Sequence, residues 1–225
     1  MLRSTLMEYE EASGQKVNTN KSSISFNPNT AQETRDEIFN ILGPMQNSRH
    51  TKYLGLPSLI GRSKKQVFAI LKERVGQKLA GWKSKLLSMG GKEILIKVMA
   101  QAIPTYTMSC FFLPQGLCDD MERMMKNFWW GQKQQETKLG WVSWKRMCIS
   151  KARGGLGFRN LKAFNLAMLA KQAWRILNNL SSLVARVLQA RYFPTGNLLN
   201  AKLGSSPSYS WRSIHSNLEV IRQGT

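Results

Sequence analysis

Two short runs in this 225-residue chain have the residue types for phosphate chemistry. Asp119-Asp120 has the form of a metal-binding pair, and two-metal phosphoryl transfer needs several carboxylates converging on cations a few ångströms apart. The pair follows Leu117-Cys118, leads a methionine-rich amphipathic run and has no third carboxylate in a strand context nearby. It therefore reads as charge compensation at a helix N-terminus. Gly154-Gly155-Leu156-Gly157 has the form of a phosphate-cradling loop. However, Asn160 stands where the dinucleotide fingerprint has its last glycine, no strand is predicted ahead of it, and Gly-Lys-Ser and Gly-Lys-Thr are absent. The run reads as a tight turn with positive-φ glycines before a capped helix. Lys151, Arg153 and Arg159, with the bare backbone of that turn, could hold a nucleic-acid phosphate without catalysis.

Other chemistry is thinly supported. Cys110, Cys118 and Cys148 make no Cys-x-x-Cys, and His50 and His215 form no cluster of zinc spacing, so the thiols read as small buried hydrophobes and no metal is expected. Two histidines and sparse acids do not assemble a hydrolase triad. Trp129, Trp130, Trp141 and Trp144 have the side chains that stack on bases in single-strand binders. Trp129 lies on an apolar helical stripe and reads as core, while Trp130 and Trp141 stay open.

Charge sets the partner class. Thirty-three Lys and Arg against thirteen Asp and Glu give a formal charge of +20, and residues 137–218 hold thirteen cations and no acid. A solvated ion-paired surface would mix the signs, so a polyanion, nucleic acid first, is the expected partner. The cations are spread over several helices instead of one interfacial segment, which argues against a membrane surface. Glu8, Glu10 and Glu11 follow the first apolar residues at once, which is wrong for a secretory signal or an acid-poor transit peptide. An intracellular protein is expected, with nucleus, cytoplasm and mitochondrion all open.

The elements that would position these groups are mostly helices. The pattern predicts helices over residues 2–12 and 32–42, the second capped by Thr30 and ended by Gly43-Pro44, with strand-like pieces at 16–18, 22–26 and 53–56 between and after them. This is too little for a core of its own. From Ser63 onward Val67, Ile70, Leu71, Val75, Leu79 and Trp82 form one apolar side, with Lys65, Lys72 and Lys83 near one another on the opposite side. Gly90-Gly91 is read as a break, followed by a helix stopped at Pro104, and residues 106–113 as helix or extended connector. Met121, Met124, Met125, Phe128 and Trp129 sit at i, i+3, i+4, i+7 and i+8 of a helix begun by the aspartate pair and ended by Gly131. Residues 132–138 read as a polar loop. Asn160 caps a helix to about Asn178, Ser181 or Ser182 starts another to about Tyr192, and a weak helix covers 211–221.

Four phrases carry a resemblance: Tyr53-Leu54-Gly55-Leu56-Pro57, Gly81-Trp82-Lys83, Phe128-Trp129-Trp130-Gly131 and Gly154-Gly155-Leu156-Gly157-Phe158-Arg159-Asn160-Leu161. In this order and spacing they resemble the stretch after the catalytic centre of reverse transcriptases encoded by plant LINE-type (non-LTR) retrotransposons, including fragments in organelle genomes. The resemblance implies a mainly α protein: a small α+β palm remnant over residues 1–60 and a helical thumb-like bundle with its extension over 61–225. Ser13-Gly14-Gln15-Lys16-Val17-Asn18 and Lys21-Ser22 are similar to the helix end that follows the family's catalytic aspartates. By resemblance, then, the chain begins after them and is not an enzyme on its own. Lys21 looks like the palm lysine near the incoming nucleotide, and Tyr53, Leu54 and Gly55 like the turn that grips the primer end. The complete family enzyme uses Mg2+, and no cofactor is expected for this fragment.

The function expected on this basis is sequence-tolerant binding of template–primer backbones by Lys65, Lys72, Lys83, Lys151, Arg153 and Arg159. A complementing palm and fingers segment is an open second partner, whose presence would make an active polymerase. The other alternative is a remnant of a decayed retroelement with no selected activity.

Overall fold

The computed structural model describes residues 2–27, 29–43, 46–47, 52–53, 55–57, 60–61, 63–83, 87–131 and 140–223. The chain divides into two compact units, Met1–Leu59 and Ile60–Thr225. Mainly α architecture is the outcome, as the periodicity predicts.

The first unit contains helix α1 (Leu2–Ser13), a 3-10 turn (Thr19–Lys21), strand β1 (Ser23–Ile24), helix α2 (Gln32–Leu42) and strands β2 (Gln46–Asn47), β3 (Lys52–Tyr53) and β4 (Leu56–Pro57). β1 pairs parallel with β2, and β3 antiparallel with β4, giving two minimal ladders. The predicted piece at 16–18 is not a strand; the Val17 N–H goes instead to the Glu10 carboxylate at 2.7 Å. Thr30 does not cap α2 either: the cap position is Ala31, which has no side-chain acceptor to offer. Phe26 packs edge-on against Phe39, and the Arg35 guanidinium lies over the Phe26 ring. Among the residues of this unit whose burial is described, none is buried.

The core belongs to the second unit. Helices α3 (Lys64–Val67) and α4 (Ala69–Lys83) are separated by Phe68, which is itself buried and which the periodicity misses. Helix α5 (Met89–Leu95) starts ahead of Gly90-Gly91, because the Ser88 hydroxyl accepts the Gly91 N–H at 3.2 Å and caps the first turn. Glycines in a first turn do not break a helix whose cap is satisfied. A π-helical turn (Ile96–Ala100) follows, and Pro104 opens helix α6 (Thr105–Cys110) instead of stopping one.

Helix α7 (Gln115–Trp130) begins directly after Pro114 and buries Met121, Met125, Phe128 and Trp129 of the predicted stripe, with Met124 half-buried. After it come α8 (Trp144–Met147), a 3-10 turn (Lys151–Arg153), α9 (Leu161–Asn178), α10 (Leu183–Tyr192), α11 (Tyr209–His215) and α12 (Leu218–Arg222). α4 packs on α7, while α9 is the hub that meets α6, α7, α10, α11 and α12. The caps of α9 and α10 are Asn160 and Ser182, as the sequence predicts. The single weak helix expected over 211–221 is two helices, and its Trp211 is fully buried. No described helix is long and apolar enough to cross a membrane.

Candidate nucleic-acid interface

Asp119-Asp120 sits in the second turn of α7, not at its start, because Pro114-Gln115 opens the helix one turn earlier. Dipole compensation in the first turn is therefore not its role. Asp120 instead gathers cations from three directions: Lys72 at 3.0 Å, Lys65 at 3.9 Å and Arg123, one helical turn on, at 3.4 Å. The hydrogen bond from Lys72, assisted by the charges of Lys72, Lys65 and Arg123, holds its carboxyl below the ordinary aspartate range. Three cations around one anion leave a local excess of about two positive charges. The carboxylate is thus already committed. Among the described residues no group of three His, Cys, Asp or Glu could hold a metal ion.

Lys65 and Lys72 are therefore brought together by Asp120, and both stay exposed. Lys83 closes α4, and its side chain lies outside the described residues. Arg123 joins this patch, and only its i,i+3 spacing to Asp120 signals it in the sequence.

A second acid does the same at the glycine turn. Glu93 binds Lys97 at 2.7 Å and Lys151 at 2.6 Å, and the hydrogen bond from Lys151, then that from Lys97, keeps it below the ordinary glutamate range. Arg153 and Arg159 are exposed on either side of the turn, and Arg159 lies over the Phe164 ring at 4.6 Å. Lys97 is the residue missed here, although its i,i+4 spacing from Glu93 is visible in the sequence.

The backbone of the turn is not bare. The N–H groups of Gly155, Leu156, Gly157 and Phe158 donate to Ser150, Met147, Ile149 and Met147 carbonyls at 2.8–3.2 Å. At the start of α9, Leu161 N–H is taken by Glu122 at 2.7 Å and Ala163 N–H by Asn160 at 2.8 Å. A phosphate would find these donors spent, which shifts its recognition toward side-chain charge. Gly155 is required for a different reason: a Cβ there would lie 2.0 Å from the Ile149 carbonyl oxygen.

The other predicted groups lie apart. Lys21 is exposed at the end of its 3-10 turn, where its N–H bonds to Asn18. Tyr53 pairs with Leu56 across a hairpin whose turn includes Gly55 at φ 79°, while Leu54 and the loop at 132–138 lie outside the described residues. Trp129 and Trp144 are core, and Trp141 is 80% exposed. Burial pushes the Cys118 and Cys148 thiols up to about 12, which keeps them out of nucleophilic chemistry.

Over 124 residues the chain is 44% identical to the uncharacterized mitochondrial protein AtMg00310 of Arabidopsis thaliana, an alignment covering 55% of this chain and 80% of that protein. The chain belongs to this protein's family. A second Arabidopsis relative, named "Putative ribonuclease H protein At1g65750", is 34% identical over 173 residues, 75% of this chain. The chain spans 28% of that relative's length. No family model matches. The two relatives are consistent with a plant retroelement-derived chain.

In this family member one acid has the opposite electrostatics to Asp120 and Glu93. Burial raises the pKa of Glu122 above the ordinary glutamate value, only partly offset by the hydrogen bond from Leu161 N–H and the nearby Trp144 indole. A raised folded-state value means that its contribution is fully present below the unfolded pKa of about 4.3 and is lost as pH rises through the folded value. Glu122→Gln keeps an acceptor for Leu161 N–H and cannot ionise. Its unfolding free energy should therefore gain on the native chain as pH rises from about 4 to about 7. Paired urea titrations across that range check this, and a pH-independent difference would mean that Glu122 is not charged against its burial.

Proposed function

We propose that the chain is the region following the catalytic centre of a plant LINE-type reverse transcriptase, and that it binds nucleic-acid backbones without sequence preference and without chemistry of its own. The observation that carries this reading is the +20 charge, with thirteen cations and no acid over residues 137–218. The order of the family phrases supports it, and a relative named as a putative ribonuclease H protein is in keeping with it. The binding face is the side-chain charge of Lys65, Lys72 and Lys83 and of Lys151, Arg153 and Arg159, extended by Arg123 and Lys97. Asp120 and Glu93 act as spacers that hold like charges side by side. In a complete polymerase Lys21 and the turn at Tyr53, Leu54 and Gly55 would face the nucleotide and primer end, and the partner would be a template–primer hybrid.

The test is fluorescence anisotropy with RNA–DNA hybrid, duplex DNA and single-stranded RNA across a salt series. The native chain should bind with a steep salt dependence, tightest to the hybrid. Lys65→Gln with Lys72→Gln should weaken duplex DNA binding uniformly across sequences and reduce the salt slope by about 0.9 per lost contact. An unchanged slope would remove this patch from the interface. Equal binding to all three, abolished by heparin, would leave charge alone, and the reading of a decayed element without selected activity would replace ours.

A further inference from the structure

The backbone patches leave unexplained a cleft of about 750 Å³ between α6, α9, α10 and α11. Its lining combines Trp174, Val184 and Ile214 with Gln172, Arg175 and Asn178, and no carboxylate. Trp174 is 50% exposed although Ala173 and Ile176 beside it are core, so half of its surface is open. The Asn178 amide is fixed by donating to the Trp174 carbonyl at 2.9 Å, and Arg175 bonds the Gln172 side-chain oxygen at 3.4 Å. A half-exposed indole beside two carboxamides and a guanidinium matches a ligand with a flat π face, a donor–acceptor edge and an attached anion. The volume is that of a small-ligand site.

Resting on the nucleic-acid reading above, we propose that this cleft takes one unpaired base of a single strand. Trp174 is the stacking platform, and Arg175 serves the adjoining phosphate. Charge complementarity selects this occupant, because the part of the cleft built by α9, α10 and α11 lies in the acid-free stretch of residues 137–218. Base–aromatic stacking tolerates any sequence, since every base has a π face, so the site would add strand-type preference without sequence preference. Duplex DNA cannot use it, because its bases are already stacked on each other.

The experiment measures affinity of the full chain for oligo(dT), for an abasic strand of equal length and for duplex DNA at one salt concentration, with native, Trp174→Ala and Trp174→Phe forms. The native chain should prefer oligo(dT) to the abasic strand. Trp174→Ala should lose about tenfold on oligo(dT) while its affinity for the other two stays within about twofold, and Trp174→Phe should restore most of the loss. No base preference in the native chain, or parallel losses on all three probes, would overturn the base site while leaving the backbone reading intact. Failure of all three to bind would overturn both. A change in mass by light scattering with base preference unaltered would mark the cleft as a self-association surface and end the proposal.

Discussion

Trp211→Ala is expected to lower the unfolding free energy by about 5 kcal/mol, against a whole-domain stability of about 5–15 kcal/mol. The side chain is fully buried, stacked on Tyr192 at 4.6 Å and on Phe193 at 5.9 Å, with His215 edge-on at 5.7 Å. Its indole N–H donates to the Leu203 carbonyl at 3.2 Å. Truncation leaves a cavity among Ile176, Leu198 and Leu218, removes three ring contacts and orphans that carbonyl. Each effect is ordinary, and they fall on one residue. The check is urea unfolding followed by far-ultraviolet circular dichroism, which should show a lower midpoint with little change in slope. Trp141→Ala, at the 80% exposed tryptophan, should change the free energy by no more than about 0.5 kcal/mol in the same assay. A loss below about 1 kcal/mol for Trp211→Ala would mean that this cluster does not hold α10, α11 and α12 to α9.

The contrast between Trp211, Trp174 and Trp141 shows where sequence reading stops. Helices with a side-chain cap or a long stripe were legible: Asn160 to Asn178, the start at Ser182, and the methionine face of α7. Their signals are local, one hydroxyl or amide and a 3.6-residue period. The breaks were less so. Gly90-Gly91 reads as a stop until Ser88 is seen to cap it, and Phe68 escapes the period because it sits at the junction of α3 and α4.

Pairings across the chain were out of reach. Nothing local links Asp120 to Lys65 and Lys72, 55 and 48 residues earlier, or Glu93 to Lys151, 58 residues later. Lys65, Lys72 and Lys151 can thus be singled out from sequence as cations, but not the acids that gather them, nor Arg123 and Lys97 beside them. The turn at Gly154-Gly155 was legible as a turn. What it lacks, free amides, depends on which carbonyls fold back onto it.

Asn165→Ala should cost about 4 kcal/mol, although it deletes only a small polar side chain. Asn165 lies on α9, is 1% exposed and makes three bonds to main chain. Its amide nitrogen donates to the Met108 carbonyl at 2.8 Å and the Phe111 carbonyl at 3.0 Å, and its oxygen accepts Leu113 N–H at 2.8 Å. These are the groups a helix leaves orphaned where it ends, here at the close of α6. Phe112 between them is tied by Ser213, which accepts its N–H at 2.9 Å, and by the Tyr209 hydroxyl, which donates to its carbonyl. An extended segment without strand partners is thus held by side chains of α9 and α11. Alanine leaves two carbonyls and one N–H buried without partners, each costing about 1–3 kcal/mol before water enters.

Asn165→Leu separates hydrogen bonding from volume. If Asn165 served mainly to fill space, leucine would retain most of the stability; if its bonds matter, leucine should be as damaging as alanine. Asn165→Asp adds a sign. Its ionised carboxylate can accept Leu113 N–H but faces the Met108 and Phe111 carbonyls with no donor, whereas the protonated acid can donate to one of them. Burial without a cation raises its folded-state pKa, so that variant should recover stability as pH falls through the folded value. Ser109 and Cys110, just ahead of this segment, line the same cleft as Trp174. Loss of Asn165 should therefore weaken the wall of the cleft along with the fold.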